Sequence, residues 1–288
     1  MICVVALTTS AVCAQVPATD LYLFQLSPLD TSWTIHSPLL LSGFNNGGYT
    51  NQPEFIADDL LYVSVRKAGE EQNDIYGLHL NEGKVERITA TPESEYSPTR
   101  MPDRSSFSCV RQNDSDTVDQ RLFEYPLDRN SNGTDLIPSH YNIGYHSWVT
   151  KDDVALFLVT ELPTLAWANV ETRESRRVLS NIGRCLRSGD AGELFYVHKY
   201  TDEVWYLKST ELQSKGSDII IETLKGSEDF TISKDGTFFM GHGSQLYAYH
   251  PKINNSWKLV ADLGVYGITS ITRLTINNKN ELVLVNVP

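Results

Sequence analysis

Residues 52–98 read QPEFIADDLLYVSVRKAGEEQNDIYGLHLNEGKVERITATPESEYSP. Three short runs stand out between turn-forming residues: Leu60-Leu61-Tyr62-Val63, Asp74-Ile75-Tyr76 and Val85-Glu86-Arg87-Ile88-Thr89. Aromatic and β-branched runs bounded by turn residues read as strands. The first is apolar at every position, as a strand covered on both faces must be. The last alternates polar with apolar, as expected of an outer strand with one wet face. Residues 52–98 therefore read as one strand-rich unit ending where the next begins.

The unit recurs. Turns preceding an apolar run lie at Asp58-Asp59, Asp103-Arg104, Asp152-Asp153, Ala191-Gly192, Asp235-Gly236 and, less typically, Lys279-Asn280, at intervals of 45, 49, 39, 44 and 44 residues. That spacing suits four-stranded propeller blades. The runs that follow begin at Leu60, Phe107, Val154, Leu194, Phe238 and Leu282. Third strands follow at Ile75-Tyr76, Leu122-Phe123, Leu165-Ala166-Trp167, Val204-Trp205 and Leu246-Tyr247. Apolar spacing at helical period is nearly absent, which predicts little helix.

The ends set the count. Asp20-Leu21-Tyr22-Leu23 matches the third strand of a unit and has no first or second strand before it. The unit that begins near Thr272 has two strands and no third. Pairing 272–276 and 282–287 with 21–26 and 33–41 completes both. It also covers strand edges that would otherwise invite aggregation. The predicted fold is all-β: a six-bladed β-propeller of four-stranded antiparallel blades, closed by a composite blade from both ends of the chain. Phe55, Tyr76, Phe107, Phe157, Trp167 and Trp205 are expected to pack between blades.

The pattern Gln52-Pro53-Glu54-Phe55, Leu61-Tyr62-Val63-Ser64, Asp74-Ile75-Tyr76, Gly83 to Thr89 and Glu95-Tyr96-Ser97-Pro98 resembles the WD40-like repeat of TolB-type propellers. The second unit keeps Ser97-Pro98 and Pro102-Asp103, and the fifth keeps Ser233-Lys234-Asp235-Gly236; the third and fourth follow mainly by spacing. The resemblance runs from about Asp20 onward and implies a propeller of the bacterial envelope. TolB-type proteins also carry an α/β domain that has no counterpart in this sequence, so TolB's own role is not implied, and no TolB residue maps onto a motif here.

Composition narrows the function. Apolar residues make up 41% and charged residues 21% of 288, a globular balance compatible with one domain over 15–288. The net charge of −12, from 36 acidic and 24 basic residues, argues against nucleic acid, which demands a basic face. Residues 1–14, MICVVALTTSAVCA, read as a secretory signal ending at Ala14, although no Lys or Arg precedes the apolar run. A buried N-terminal strand is the alternative. A lipid anchor on Cys13 ranks lower because Val12 stands where a small residue belongs. No later run approaches the roughly 18 apolar residues of a membrane helix. The protein is thus expected to be periplasmic or extracellular and monomeric. Cys109 and Cys185 fall in non-consecutive units and are expected to be buried thiols. Asn113-Asp114-Ser115, Asn132-Gly133-Thr134 and Asn254-Asn255-Ser256 match glycosylation sequons but read as polar loops.

No H-E-x-x-H, C-x-x-C, phosphate-binding glycine loop or nucleophile elbow occurs. No catalytic residue and no cofactor is expected. The best ligand-binding candidates are residues at the entrances of the innermost strands, which ring the channel mouth. They are Asn51, Gln52, Glu95, Tyr96, Tyr145 and His146 from the first three units. Arg184, Glu228, Asp229, Ser270 and Thr272 come from the rest. Tyrosines beside charged groups suit a protein, peptide or glycan partner. A competing possibility is a metal-dependent hydrolase or lyase similar to gluconolactonase-like propellers, with Glu95, Glu228, Asp229 and His146 as ligands on the axis. A third is a purely structural subunit that makes contacts through a blade face.

Overall fold

The computed structural model describes residues 16–113, 119–140, 142–189 and 191–288. The signal-peptide and lipid-anchor expectations for residues 1–14 lie outside them. Six four-stranded antiparallel sheets are arranged as a ring of blades. Their innermost strands are Tyr49–Ala57, Ser94–Arg100, Ile143–Trp148, Ile182–Ser188, Phe230–Ile232 and Ile271–Ile276, for blades 1 to 6 in that order. Among the described residues the only helical pieces are two short 3₁₀ turns, Ser42–Asn45 and Leu263–Tyr266, and no helix is long and apolar enough to cross a membrane.

Blade 6 is composite, as expected. Its strand order outward from the axis is Ile271–Ile276, Glu281–Asn286, Asp20–Leu29, Ser32–Leu40. Asp20 pairs with Asn286, and the register continues without a break to Gln25 opposite Glu281.

The second strand of each blade shows why its sequence is continuously apolar. Leu61, Val63 and Val65 pack toward blade 6, against Leu21, Val283 and Val285. Tyr62, between them, points the other way, toward Phe107 and Tyr125 of blade 2. Val154, Leu156 and Leu158 likewise face blade 2, and Ala155 and Phe157 face blade 4. Side chains alternate by two, and both faces meet another blade, so apolar residues dominate, and buried polar exceptions such as Ser64 and Ser108 are hydrogen-bonded. The core is six separate clusters, one in each gap between neighbouring blades. All six aromatic residues expected between blades lie in them. Each fully buried Leu or Phe contributes about 2 kcal/mol relative to exposure. Cys109 and Cys185 are buried free thiols, in blades 2 and 4.

Removing residues 274–288 takes away Leu274, Leu282, Val283, Leu284 and Val285 and opens two gaps at once. The whole ring is expected to unfold, with loss of near-UV circular dichroism and NMR dispersion together. A truncated chain that stays folded and monomeric would contradict ring closure through blade 6.

Candidate functional site

The innermost strands are irregular where they approach the axis. Gln52 and Ser97 occupy the left-handed region, at φ 55° and 52°, and the pairing with the second strand slips across each. Such a bulge re-aims the side chains beyond it. Gln52 itself accepts a hydrogen bond from the Ser97 backbone at 2.8 Å, and the Ser97 hydroxyl donates to the Gly144 carbonyl at 3.3 Å. Blades 1, 2 and 3 are thereby joined at the centre.

Two contacts cross the ring. Arg187 of blade 4 reaches Glu54 of blade 1 at 2.9 Å, and its guanidinium also donates to the Leu274 carbonyl of blade 6 at 2.8 Å. Arg273 of blade 6 donates to the Tyr145 hydroxyl of blade 3 at 2.6 Å and lies over the same ring at 4.8 Å. Blades 1 and 4, and blades 3 and 6, are opposite one another in a six-bladed ring. These side chains fill the axis at mid-depth and leave a cavity of only about 60 Å³, bordered by Gln52, Glu54, Tyr145, Arg184, Arg187 and Asp229 among others. The channel is narrowed there by these two contacts.

Above this narrowing, where the innermost strands begin, lies an open basin of about 270 Å³ between blades 4, 5 and 6. Arg184, Lys225, Glu228, Asp229, His242, Ser270 and Thr272 line it. Gly241 forms part of its wall, because a Cβ there would come within 2.4 Å of Ile271. Arg184 approaches Glu228 at 3.5 Å and Asp229 at 3.8 Å and donates to the Thr272 carbonyl at 3.1 Å. Its Nε has no hydrogen-bond partner among the described residues. Lys199 pairs with Glu228 at 2.7 Å. Burial works against ionisation of Glu228, yet Lys199 and Arg184 hold it below the ordinary carboxylate range. Burial raises Asp229, although Arg273, Arg184 and Arg187 pull the other way.

The structure thus divides the expected mouth residues. Arg184, Glu228, Asp229, Ser270 and Thr272 share the basin. Tyr145 and Gln52 border the axial cavity below it. Asn51 is buried, with its side-chain oxygen accepting from the Gln52 backbone. Tyr96 packs half-buried against the apolar gap between blades 2 and 3. Glu95 is fully buried between blades 1 and 2, where the hydroxyls of Thr89, at 3.0 Å, and Thr91 donate to it. His146 borders the axial cavity, but its ring is buried with Nε2 2.6 Å from the Ser108 hydroxyl. The Trp148 indole donates to that same oxygen, at 2.9 Å. With Ser108 itself fully buried, the pair is structural. The four ligands of the metal-dependent alternative are therefore not assembled, and among the described residues no three His, Cys, Asp or Glu side chains are placed to hold a metal. Glu54, Arg187 and Arg273 were not anticipated. A charged residue inside an innermost strand, such as Arg187 next to Cys185 and Leu186, was the available signal.

No family model matches the chain, and no curated protein does. Solved structures do. A TolB candidate from Agrobacterium tumefaciens superposes with a TM-score of 0.68 at 10% identity, over 94% of this chain and 98% of that one. TolB from Acinetobacter baumannii gives 0.59 at 10% identity, over 93% of this chain and 63% of that one. A gluconolactonase-family candidate gives 0.56 at 7% identity, over 84% and 89%. The fold is that of the TolB-like six-bladed propellers, which it shares with propellers of other activities.

Two outcomes follow for the centre and its flank. Breaking the cross-axis pair from one side leaves a charge without its partner, so Arg187→Met is expected to cost about 3 kcal/mol. The double variant Arg187→Met with Glu54→Gln should recover part of that loss, measured by denaturant unfolding.

Glu95 and His146 generate opposing pH dependences. Burial pushes Glu95 up to about 7 from 4.5, so between those values the folded chain holds a proton that the unfolded chain has lost. Its contribution to stability falls as pH rises through that window. Burial pushes His146 down to about 3 from 6.5, so there the unfolded chain holds the extra proton and stability rises with pH. Glu95→Gln is expected to stabilise the protein by an order of 3 kcal/mol at pH 8 and little at pH 5. Denaturant titrations at the two pH values check this.

Proposed function

We propose that this protein is a non-enzymatic binding module of the bacterial envelope, exported across a membrane, that holds a polar segment of a protein, peptide or glycan in the mouth basin. One observation carries the proposal: the basin offers about 270 Å³ lined by polar and charged side chains, while the axial cavity beneath it, crossed by Arg187 and Arg273, leaves only about 60 Å³. A ligand there meets polar side chains. Arg184 supports a peptide most strongly, since its partly exposed guanidinium lines the basin, where a carboxylate or carbonyl can accept from it. The basin is small enough that a few residues of an extended segment fill it, with the rest running over the rim.

The metal-dependent alternative keeps only fold-level support from the gluconolactonase-family structure. Its proposed ligands Glu95 and His146 are committed to buried hydroxyls instead.

Capture from an envelope extract by the immobilised protein tests the binding function. Ser270→Trp fills the basin without touching the ion pairs, and Arg184→Ala removes its main donor. Both are expected to lose the captured partner, with Kd weakened at least about tenfold for the purified pair. Undiminished capture by both variants would move the contact to a blade face. Elemental analysis of the purified protein runs beside it, and a stoichiometric divalent ion would favour the hydrolase.

A further inference from the structure

A cavity roomier than the mouth basin lies elsewhere among the described residues. It opens on the opposite face, where the innermost strands of blades 4, 5 and 6 end, and is a cleft of about 590 Å³. Small-molecule sites occupy roughly 300–1,000 Å³, with an apolar lining and a few placed polar groups. Here Phe195, Phe238, Ile220, Ile232 and Ile276 supply apolar surface. Phe195 and Phe238 meet edge to face at 5.2 Å, and all but Phe238 remain half-exposed within the gap.

The charges around the cavity are unequally committed. Glu193 folds across Gly189, so closely that a Cβ on the glycine would lie 2.5 Å from its carboxyl carbon, and it accepts from the Ala191 backbone at 3.0 Å. Asp235 accepts from the Ser233 hydroxyl at 2.6 Å and from the Thr237 backbone at 3.0 Å. Both acids close their own hairpin turns. His250 is also engaged: Nδ1 accepts from the Lys252 backbone and Nε2 lies 3.1 Å from the Asp235 carbonyl. Lys234 and Lys252 line the same cavity, are exposed, and form no ion pair among the described residues. Glu193 and Asp235 keep their negative charge and balance the two lysines, but among the described residues Lys234 and Lys252 are the charged side chains there with no hydrogen bond or ion pair of their own.

We propose that the cavity between blades 4 and 5 is a second ligand site, one that takes a small amphipathic monocarboxylate. An aromatic or short aliphatic body would lie against Phe195 and the three isoleucines, with the carboxylate between Lys234 and Lys252. The site is independent of the mouth basin, because the two lie at opposite ends of the same strands.

The test uses 4-phenylbutyrate, its primary amide and 4-phenylbutylamine as probes, followed by NMR of the isoleucine methyl groups. Saturable shifts at Ile220, Ile232 and Ile276 are expected with the acid, and binding at least about tenfold weaker with the amide and the amine. In the surface double variant Lys234→Gln, Lys252→Gln the acid should lose that advantage while the amide is unchanged. Equal binding of acid and amine, or shifts confined to other isoleucines, would overturn the assignment. So would a blocked Phe-Asp peptide that displaces the acid with at least about tenfold tighter binding, which would assign the cavity to a protein partner. The mouth variant Ser270→Trp should leave every one of these shifts in place.

Discussion

Everything in this molecule depends on one pairing: the strand from Asp20 lies antiparallel against the strand ending at Asn286. A propeller blade is stable only between two neighbours, because its second strand is apolar on both faces. Without the composite blade, the apolar faces of blade 1 and blade 5 would meet water, and Leu61, Val63 and Phe239 would lose the partners that bury them. Closure therefore acts on all six gaps. It fixes the ring size at six, and with it which blades stand opposite across the axis.

That opposition is what the centre exploits. Arg187 with Glu54 and Arg273 with Tyr145 can meet only because the ring places their blades face to face. The same contacts narrow the channel beneath the mouth. Buried ion pairs of this kind add little net stability, since desolvation offsets much of the attraction. Their effect is geometric: they bring opposite blades of the ring into contact.

The ring was legible in the sequence because it follows from periodicity, which survives even where blades 3 and 4 lose their motif residues. The composite blade was legible for the same reason: an orphan strand starting at Asp20 has only one place to go. The site was legible only in part. Arg184, Glu228, Asp229 and Ser270 follow from register alone and share the basin. Glu95 and His146 hold equivalent positions along the chain, yet they turn into the gaps between blades. The left-handed Ser97 breaks the alternation of the strand that carries Glu95, and the strand that carries His146 slips register between Ile143 and Tyr145. Side-chain direction after a bulge is set by backbone torsion, and composition carries no trace of it.

Ring closure also sets a timetable. Gln25 must wait for Lys279 and Asn280, more than 250 residues further along, before the hydrogen bonds of its side chain form. At roughly 5–20 residues per second, synthesis keeps that strand without its neighbour for on the order of tens of seconds. During that interval most of the side chains that bury Phe24 and Leu26 in the finished ring are still unmade. The ribosome's pace, and whatever shelters a nascent chain, thus belong to the conditions under which this propeller can form at all.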